Sequence, residues 1–590
     1  MIVLGIAPAH HDPSACLVRD GSIISVVEQE RITREKHAVG SFPIEAIEEV
    51  IDLASVSFSD IDAIATSRNY DQTRRIFAKE VKAGLRSDLP LKKKGIEAFG
   101  KPVQRLLRSN EDLKAEVRGS VNDHFDLPVQ DVPPIHCLNH HLTHAASAYY
   151  PSGFDDALVV SLDNHGDHLA TAIYTARNGT INERKTFHQY NSLGAYYGAL
   201  TEFIGFRSHN GEGKVMGLAP YGQQNDLIDA TLTNYCSVGE GEYDVTELTY
   251  RQKDDRVPKL SRDLNMEPRY WDDEITQEYK DLAYHGQAKL EEIVTDLVSY
   301  YVDETGLSNV CLAGGVALNC KMNRRIRKLE GVDGIFVQPV ANDAGGSIGG
   351  ALELSERRGY PTEEMTHVYY GSSYDSETIR KTLDRLKVDY TEPEDVCEVT
   401  AAALEQGALV GWFQGSMEAG PRALGNRSIL ADPRDEASLD RVNKFVKHRE
   451  EWRPFSPSML PSAAETYLQD EPSKAARFMI DTFASTERAR EDIPAVLHPS
   501  DKTMRPQIVL EDTNPRYHRL ISEFEERTGV GVVLNTSFND SGEPIVRTPR
   551  EAVRDFYGMG LDLLVLGDFV IRKRDVSSAN AGREAAMTER

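Results

Sequence analysis

Residues 1–30 read MIVLGIAPAHHDPSACLVRDGSIISVVEQE. Three short apolar runs, Ile2 to Ile6, Ala15 to Arg19 and Ser22 to Glu28, follow one another closely, and Asp20-Gly21 joins the last two. Runs of this length around a two-residue turn predict a β-meander at the head of a domain. The pattern returns about 155 residues later at Ala157 to Leu162, Leu169 to Thr175 and Ile181 to Phe187, with Asn178-Gly179 as the hairpin turn. A repeated strand-turn-strand unit predicts a duplicated α/β fold.

Between the meanders, residues 43–127 carry apolar side chains at helical spacing, and Lys92-Lys93-Lys94 reads as a solvated surface feature. Beyond them, an amphipathic helix is expected from His285 to Glu304, a strand from Asn309 to Ala313 and a helix from Gly345 to about Arg358-Gly359. Pro361-Thr362-Glu363-Glu364 reads as a linker. Strand and helix patterns resume after it, for instance at Ala408 to Phe413, Gly531 to Leu534 and Leu563 to Leu566. The expected division is therefore 1–362, 366–574 and a polar tail over 575–590.

The chain has 590 residues, 40% hydrophobic and 27% charged, which suits a globular protein of several domains. Lys and Arg total 67 against 93 Asp and Glu, a net charge of −26, which disfavours phosphate backbones and anionic membranes as partners. An anionic ligand needs a local cationic pocket. The six cysteines are scattered without a C-x-x-C pair, so reduced thiols and a cytoplasmic location are expected. The amino terminus has no basic region before its apolar run, and no apolar run reaches about 18 residues, so neither a signal peptide nor a membrane span is expected.

Three constellations point to chemistry. In Asn139-His140-His141-Leu142-Thr143-His144-Ala145, a helix places His140 and His144 one turn apart on one face, with His141 directed elsewhere. Asp163 follows one predicted strand and Asp343 another. Two imidazoles with one or two carboxylates suit iron, zinc or manganese and leave room for a substrate. Glycine-rich turns at Gly314-Gly315 and at Asn342-Asp343-Ala344-Gly345-Gly346, with Gly211-Glu212-Gly213-Lys214, suggest a two-lobed nucleotide cleft. Finally, Arg422, Arg427, Ser428, Arg434, Lys447, Arg449 and Arg453 gather cations on an acidic chain, as an anion pocket requires. Arg505, Asn535 and Ser537 add polar groups at strand ends where a nucleotide would be read.

With these motifs the chain resembles the O-carbamoyltransferases of the nodulation-protein-U type, which modify antibiotics, toxins and lipo-oligosaccharides. The resemblance spans nearly the whole sequence. It rests on H-D-x-S-A at His11 to Ala15, E-x-E-R at Glu28 to Arg31, H-H-x-x-H-A-A-S-A at His140 to Ala148 and E-G-K-x-M-G-L-A-P-Y-G at Glu212 to Gly222. It continues through L-A-G-G-V-A-L-N at Leu312 to Asn319, N-D-A-G at Asn342 to Gly345, G-P-R-A-L-G-N-R-S-I-L-A-D-P-R at Gly420 to Arg434, R-P-F-x-P at Arg453 to Pro457 and N-T-S-F-N at Asn535 to Asn539.

The resemblance implies an actin-like ATPase (ASKHA) domain followed by a YrdC-like α/β domain. It implies that carbamoyl phosphate and ATP, with Mg, form carbamoyl adenylate in the second domain. The first domain, holding a divalent metal such as iron(II), zinc or manganese, then passes the carbamoyl group to a hydroxyl of a small-molecule acceptor. Carried over by position, His140, His144, Asp163 and Asp343 are the implied metal ligands, and Arg422, Lys447 and Arg453 grip carbamoyl phosphate. His11 is the implied general base or transition-state partner, with Lys214 as a second catalytic candidate. Gly314, Gly315, Asn319 and Gly345 are expected at the nucleotide of the first domain, and Arg427, Ser428, Arg505, Asn535 and Ser537 at that of the second. A homodimer is compatible with this reading.

One departure stands out. The family more often has glycine directly after the aspartate, where this chain reads Asp163-Asn164-His165-Gly166-Asp167-His168, so His165 and His168 are further ligand candidates. A sugar-kinase-like phosphotransferase is the main rival class, and the second, arginine-rich anion pocket argues against it. A threonylcarbamoyl-type tRNA-modifying transferase is the nearer rival, disfavoured by the acidic charge.

Overall fold

The opening meander forms as β1 (Ile2–Ala7), β2 (Ser14–Arg19) and β3 (Ser22–Glu28), paired antiparallel in chain order. Asp20 and Gly21 at its turn both take the left-handed backbone that a tight two-residue hairpin needs, with φ of 51° and 89°. The structure is a computed structural model describing residues 1–8, 11–71, 109–250, 253–450 and 452–573. The Lys92 to Lys94 run and the tail from Asp575 lie outside the described residues.

After α1 (Gln29–Thr33) and α2 (Ile44–Leu53), two strands, β4 (Ala63–Thr66) and β5 (Ile135–Cys137), join the far side of β1 in parallel. The sheet order is β3-β2-β1-β4-β5. β4 corrects the expectation of helix through this region: its Ala-Ile-Ala-Thr run is too short and alanine-rich to distinguish by periodicity.

The second meander builds the same sheet again. After α3 (His140–Tyr149), β6 (Asp156–Gly166), β7 (Leu169–Arg177) and β8 (Thr180–His188) run antiparallel. β9 (Asn309–Ala313) and β10 (Gly334–Val337) then pair in parallel beside β6, giving the order β8-β7-β6-β9-β10. Both sheets share one topology, so the duplicated, actin-like α/β arrangement is present.

Among the helices that follow β8, those that bear on the site are α4 (Glu212–Leu218), α5 (Gln277–Thr305), α6 (Cys320–Arg327) and α7 (Gly345–Arg357). α5 begins eight residues before the expected His285, and Thr276 precedes it as its N-cap residue. No described helix is long and apolar enough to cross a membrane.

α7 lies between the two copies, and glycine sets its depth. A Cβ on Gly349 would stand 1.7 Å from the Thr143 carbonyl oxygen of α3, and one on Gly5 of β1 would stand 1.9 Å from the Ser347 carbonyl oxygen. Only hydrogen in place of a side chain admits this backbone-to-backbone packing. The histidine helix α3 is thereby seated against α7.

The carboxyl-terminal sheet is mixed, with seven strands: β11 (Val410–Phe413), β12 (Arg427–Ala431), β13 (Ser456–Met459), β14 (Gln507–Ile508), β15 (Val532–Ser537), β16 (Leu563–Leu566) and β17 (Phe569–Arg572). Their order is β14-β13-β15-β12-β11-β16-β17. β11 and β16 are wholly buried and apolar, as central strands covered on both faces should be.

Candidate functional site

Asn139 starts α3 by accepting the Leu142 N–H on its side chain at 2.9 Å, and this fixes the phase of the helix. His140 and His144 then project together, their Nε2 atoms 3.0 Å apart. The β6–β7 register breaks between Leu162 and Gly166, which turns Asp163 inward, 3.4 Å from His140 Nε2. Asp343, in the turn before α7, lies 3.7 Å from His140 Nε2 and 3.9 Å from His144 Nε2. One ligand atom from each of these four residues lies within 4.8 Å of all the others. His141 faces away and pairs through Nδ1 with Ser161 at 2.8 Å.

The four groups shift one another's protonation strongly. Burial opposes charge on His140, but its hydrogen bond to Asp163 and the charges of Asp343 and Asp163 push it up to about 9. Burial and the His140 charge hold His144 well below the usual imidazole range. Burial would raise Asp163, yet the His140 hydrogen bond and the charges of His144 and His140 hold it well below the carboxylate range. Burial and the Asp163 charge push Asp343 up to about 7. A divalent cation at this point would be met by both imidazoles neutral and both carboxylates ionised. Two nitrogen and two oxygen donors suit iron(II), zinc or manganese.

Two residues support the cluster: Asp167, which was not among the expected ones, and Gly315, which was expected at a nucleotide. Asp167 accepts the backbone N–H groups of His140, at 2.8 Å, and Asn69, at 3.0 Å. The Gly315 N–H donates to Asp163 Oδ1 at 3.1 Å. After Asp163, Gly166 is required by its own packing, because a Cβ there would stand 2.0 Å from His140 Cδ2. His165 and His168 stand outside the four-residue cluster.

His11 belongs to a second group nearby. Asp12 lies between two imidazoles, 3.6 Å from His11 Nδ1 and 2.7 Å from His37 Nδ1, and His37 Nε2 meets Asn210 Oδ1 at 2.6 Å. His11 also packs against the His209 ring, with centroids 4.7 Å apart. Burial opposes ionisation of Asp12, but His11 and His37 outweigh it and hold the carboxyl far below its usual range. Asp12, His37 and His209 all adopt left-handed backbone, with φ of 51°, 65° and 68°. Such strain gathers at functional sites.

The third centre is cationic. Arg422 makes no carboxylate pair among the described residues, and its Nε is buried without a hydrogen-bond partner. Burial, then the charges of Arg505 and Arg453, pull Arg422 downward. Arg505 donates to Ser456 Oγ at 2.9 Å, and Arg453 has Glu450 at 3.6 Å. Burial and neighbouring cations also lower Arg449 and Lys36. Arg449 belongs to the basic run expected to form the pocket, whereas Lys36 was not expected there.

Residues 2–352 match the family model for the carbamoyltransferase N-terminus, and residues 401–573 match that for the C-terminus. The chain belongs to the carbamoyltransferase family. It is an enzyme of that class. This carbamoyltransferase is 35% identical over 602 residues to an uncharacterized protein of Synechocystis, covering 97% of this chain and 96% of that one. It is 36% identical over 590 residues to nodulation protein NolNO of Sinorhizobium fredii, covering 98% and 81%. It is 30% identical over 367 residues to the 3'-hydroxymethylcephem-O-carbamoyltransferase of Amycolatopsis lactamdurans, covering 61% and 64%.

Several expected site residues of the carbamoyltransferase have other occupations. Arg427 is fully buried and donates to the carbonyls of Gln414, Asn426, Ser372 and Gly415, so its side chain is not presented to a nucleotide. Ser428 is fully buried and accepts the Gly425 N–H at 3.1 Å, while buried Asn535 donates to Ala423 and Ser458. Lys447 commits its ammonium to oxygens of Ser537 and Asn539, and the Ser537 hydroxyl donates to Asn539 at 2.6 Å. Burial, then Arg449 and Arg453, hold Lys447 well below its ordinary range.

In the first half, Asn319 caps α6 and donates to Gln287. Gly314 and Gly345 are required by close packing on the Leu162 and Val340 carbonyls, each 2.1 Å from a would-be Cβ. Lys214 pairs with Glu450 at 2.9 Å, which ties α4 to the basic run instead of directing the ammonium at the histidines.

Proposed function

We propose that this enzyme is an ATP-dependent O-carbamoyltransferase acting in two steps. Its carboxyl-terminal part, residues 366–574, is the YrdC-like unit that binds carbamoyl phosphate and ATP with Mg; one water cleaves carbamoyl phosphate to carbamate and phosphate, and the carbamate oxygen attacks the ATP α-phosphorus to form carbamoyl adenylate and release pyrophosphate. Its amino-terminal part, residues 1–362, transfers the carbamoyl group to a hydroxyl of a small molecule. The observation that carries this reading is the coexistence, on one chain, of an unneutralised guanidinium at Arg422 and a buried His₂Asp₂ cluster.

Each centre has a chemical task. Arg422, Arg453 and Arg505 present guanidinium forks to phosphate oxygens. Arg449 and Lys36 add positive charge around them. The His140, His144, Asp163 and Asp343 set would hold the divalent metal, iron(II) foremost, which supplies Lewis-acid polarisation of a carbonyl or phosphoryl oxygen. His11, oriented by ionised Asp12, takes the proton of the acceptor hydroxyl as that oxygen attacks the carbamoyl carbon and AMP leaves. Carbamoyl adenylate is prone to hydrolysis, so the passage between the centres must exclude water. The cephem-modifying relative favours a natural-product acceptor over a tRNA.

The test separates the half-reactions. His140→Ala with His144→Ala should abolish bound metal in elemental analysis and abolish transfer, while pyrophosphate release persists. Arg422→Ala should lower kcat/KM for pyrophosphate release by about 100-fold or more, as loss of a charge-assisted fork predicts. Retained metal in the first variant, or unchanged pyrophosphate release in the second, rejects the assignment.

A further inference from the structure

The E-x-E-R motif at Glu28 to Arg31 touches the His11 group through Glu30, whose Oε2 accepts the His37 N–H at 2.7 Å, and through Arg31 it also reaches the loop that carries Arg422. Glu418, 2% exposed, stands at the start of that loop. Its Oε1 accepts the backbone N–H groups of Leu424 at 2.7 Å, Asn426 at 2.8 Å and Arg427 at 3.2 Å. Three donors on one carboxylate oxygen draw residues 418–427 into a closed loop with Arg422 inside the span. Gly420, with φ of 94°, makes the turn, and its carbonyl accepts Arg31 Nη2 at 2.8 Å.

Arg31 is buried on α1 and is itself held by Glu28, with Nε donating to Oε2 at 2.8 Å. Glu28, Arg31 and Glu418 line one small cavity with Arg547. On its other flank, Gly420 packs on Pro339, whose carbonyl oxygen would be 3.1 Å from an added Cβ. The loop is thus gripped from within by Glu418 and from the amino-terminal half by Arg31.

Such a grip has a physical purpose. Arg422, Arg453 and Arg505 carry like charges that repel when no anion lies between them. A slack loop would relax by carrying Arg422 out to water, and rebuilding the pocket would then draw on anion-binding energy. We propose that Glu418 and Arg31 are positioning residues, which hold the 418–427 backbone so that Arg422 meets the phosphate anion already in place. The inference rests on the anion-pocket reading above and adds the residues that preorganise it.

The experiment uses the full-length enzyme. Carbamoyl phosphate binding is measured by calorimetry, and KM and kcat by pyrophosphate release, for Glu418→Ala, Glu418→Gln, Arg31→Ala and Arg31→Lys. Glu418→Ala and Arg31→Ala should raise Kd and KM for carbamoyl phosphate about tenfold or more, with a smaller change in kcat at saturation, because charge-assisted hydrogen bonds to buried partners are lost. Glu418→Gln keeps an acceptor oxygen and should return KM to within about threefold of the parent. Arg31→Lys keeps the charge but loses the fork, and should fall between parent and alanine variant.

Bound metal should be unchanged in all four. A lowered Tm with parental KM in Glu418→Ala, or parental KM in Arg31→Lys if the alanine variants do not fold, overturns the inference. Parent enzyme that binds no carbamoyl phosphate overturns the anion-pocket reading itself, and this inference with it.

Discussion

Gly166 shows how one hydrogen atom in place of a side chain decides where the His140 ring lies. Its missing side chain leaves the room that the His140 ring fills, and a Cβ would meet three ring atoms between 2.0 and 2.4 Å away. Replacement by alanine forces either the imidazole or the β6–β7 loop to move, and ligand geometry tolerates displacements of only about 0.5 Å. Gly166→Ala is expected to lose bound metal and carbamoyl transfer, with pyrophosphate release retained. Elemental analysis beside the two half-reaction assays checks this, and full metal occupancy would remove Gly166 from the account. The ring and the glycine are 26 positions apart, so no local pattern announces their contact.

Helix α7 carries the element-scale argument. Because Gly349 sits on the Thr143 carbonyl, the separation of α7 from α3 is fixed by backbone, and the His140 and His144 side chains inherit that spacing. Gly349→Ala should cost about 3 kcal/mol or more, the upper range for overpacking, since the opposing atom belongs to backbone and has nowhere to rotate. Thermal scans with and without added metal measure it; a Tm within about 2 °C of the parent would contradict the packing argument.

At this scale most elements were legible. Both meanders, the histidine helix and the strand at Asn309–Ala313 announce themselves by periodicity and turn residues. The short strand β4 does not, and Asn319, Arg427 and Asn535 illustrate a second limit. A polar residue within a conserved-looking motif reads the same whether it faces a ligand or caps and fills its own loop. Burial alone separates the two, and burial is a property of the assembled chain. The His140, His144, Asp163 and Asp343 quartet was legible because helical spacing and strand ends constrain direction; Asp167 was not, since its partners His140 and Asn69 are remote in sequence, and Glu418 was not, since its role depends on how the 418–427 loop closes.

Across the whole molecule, the two halves meet through polar contacts that titrate. Asp501 in the carboxyl-terminal half accepts Lys321 of α6 at 2.5 Å, while its neighbours His498 and Ser500 reach the carbonyls of Gly217 and Pro220. Burial opposes the Asp501 charge, but Lys321 and His498 outweigh it and hold the carboxyl at about 2, against 3.8 when unfolded. A lowered folded-state value stabilises at pH above about 4, and that contribution is lost as pH falls toward 2. It amounts to about 2 kcal/mol at neutral pH with allowance for partial exposure. Asp501→Asn should therefore lower Tm at pH 7, and the gap should narrow between pH 4 and 3. A gap independent of pH would show that the pair contributes nothing through its charge.

The repeated sheet carries one more consequence. His140 and His144 follow the fifth strand of the first copy, and Asp343 follows the fifth strand of the second; Asp12 follows the first strand of its copy, and Asp163 stands at the register break near the end of the corresponding strand β6. Neither copy alone has the full ligand set. An ion held there would tie residues of one copy to residues of the other, so the stability of the junction between the copies would rise with metal occupancy.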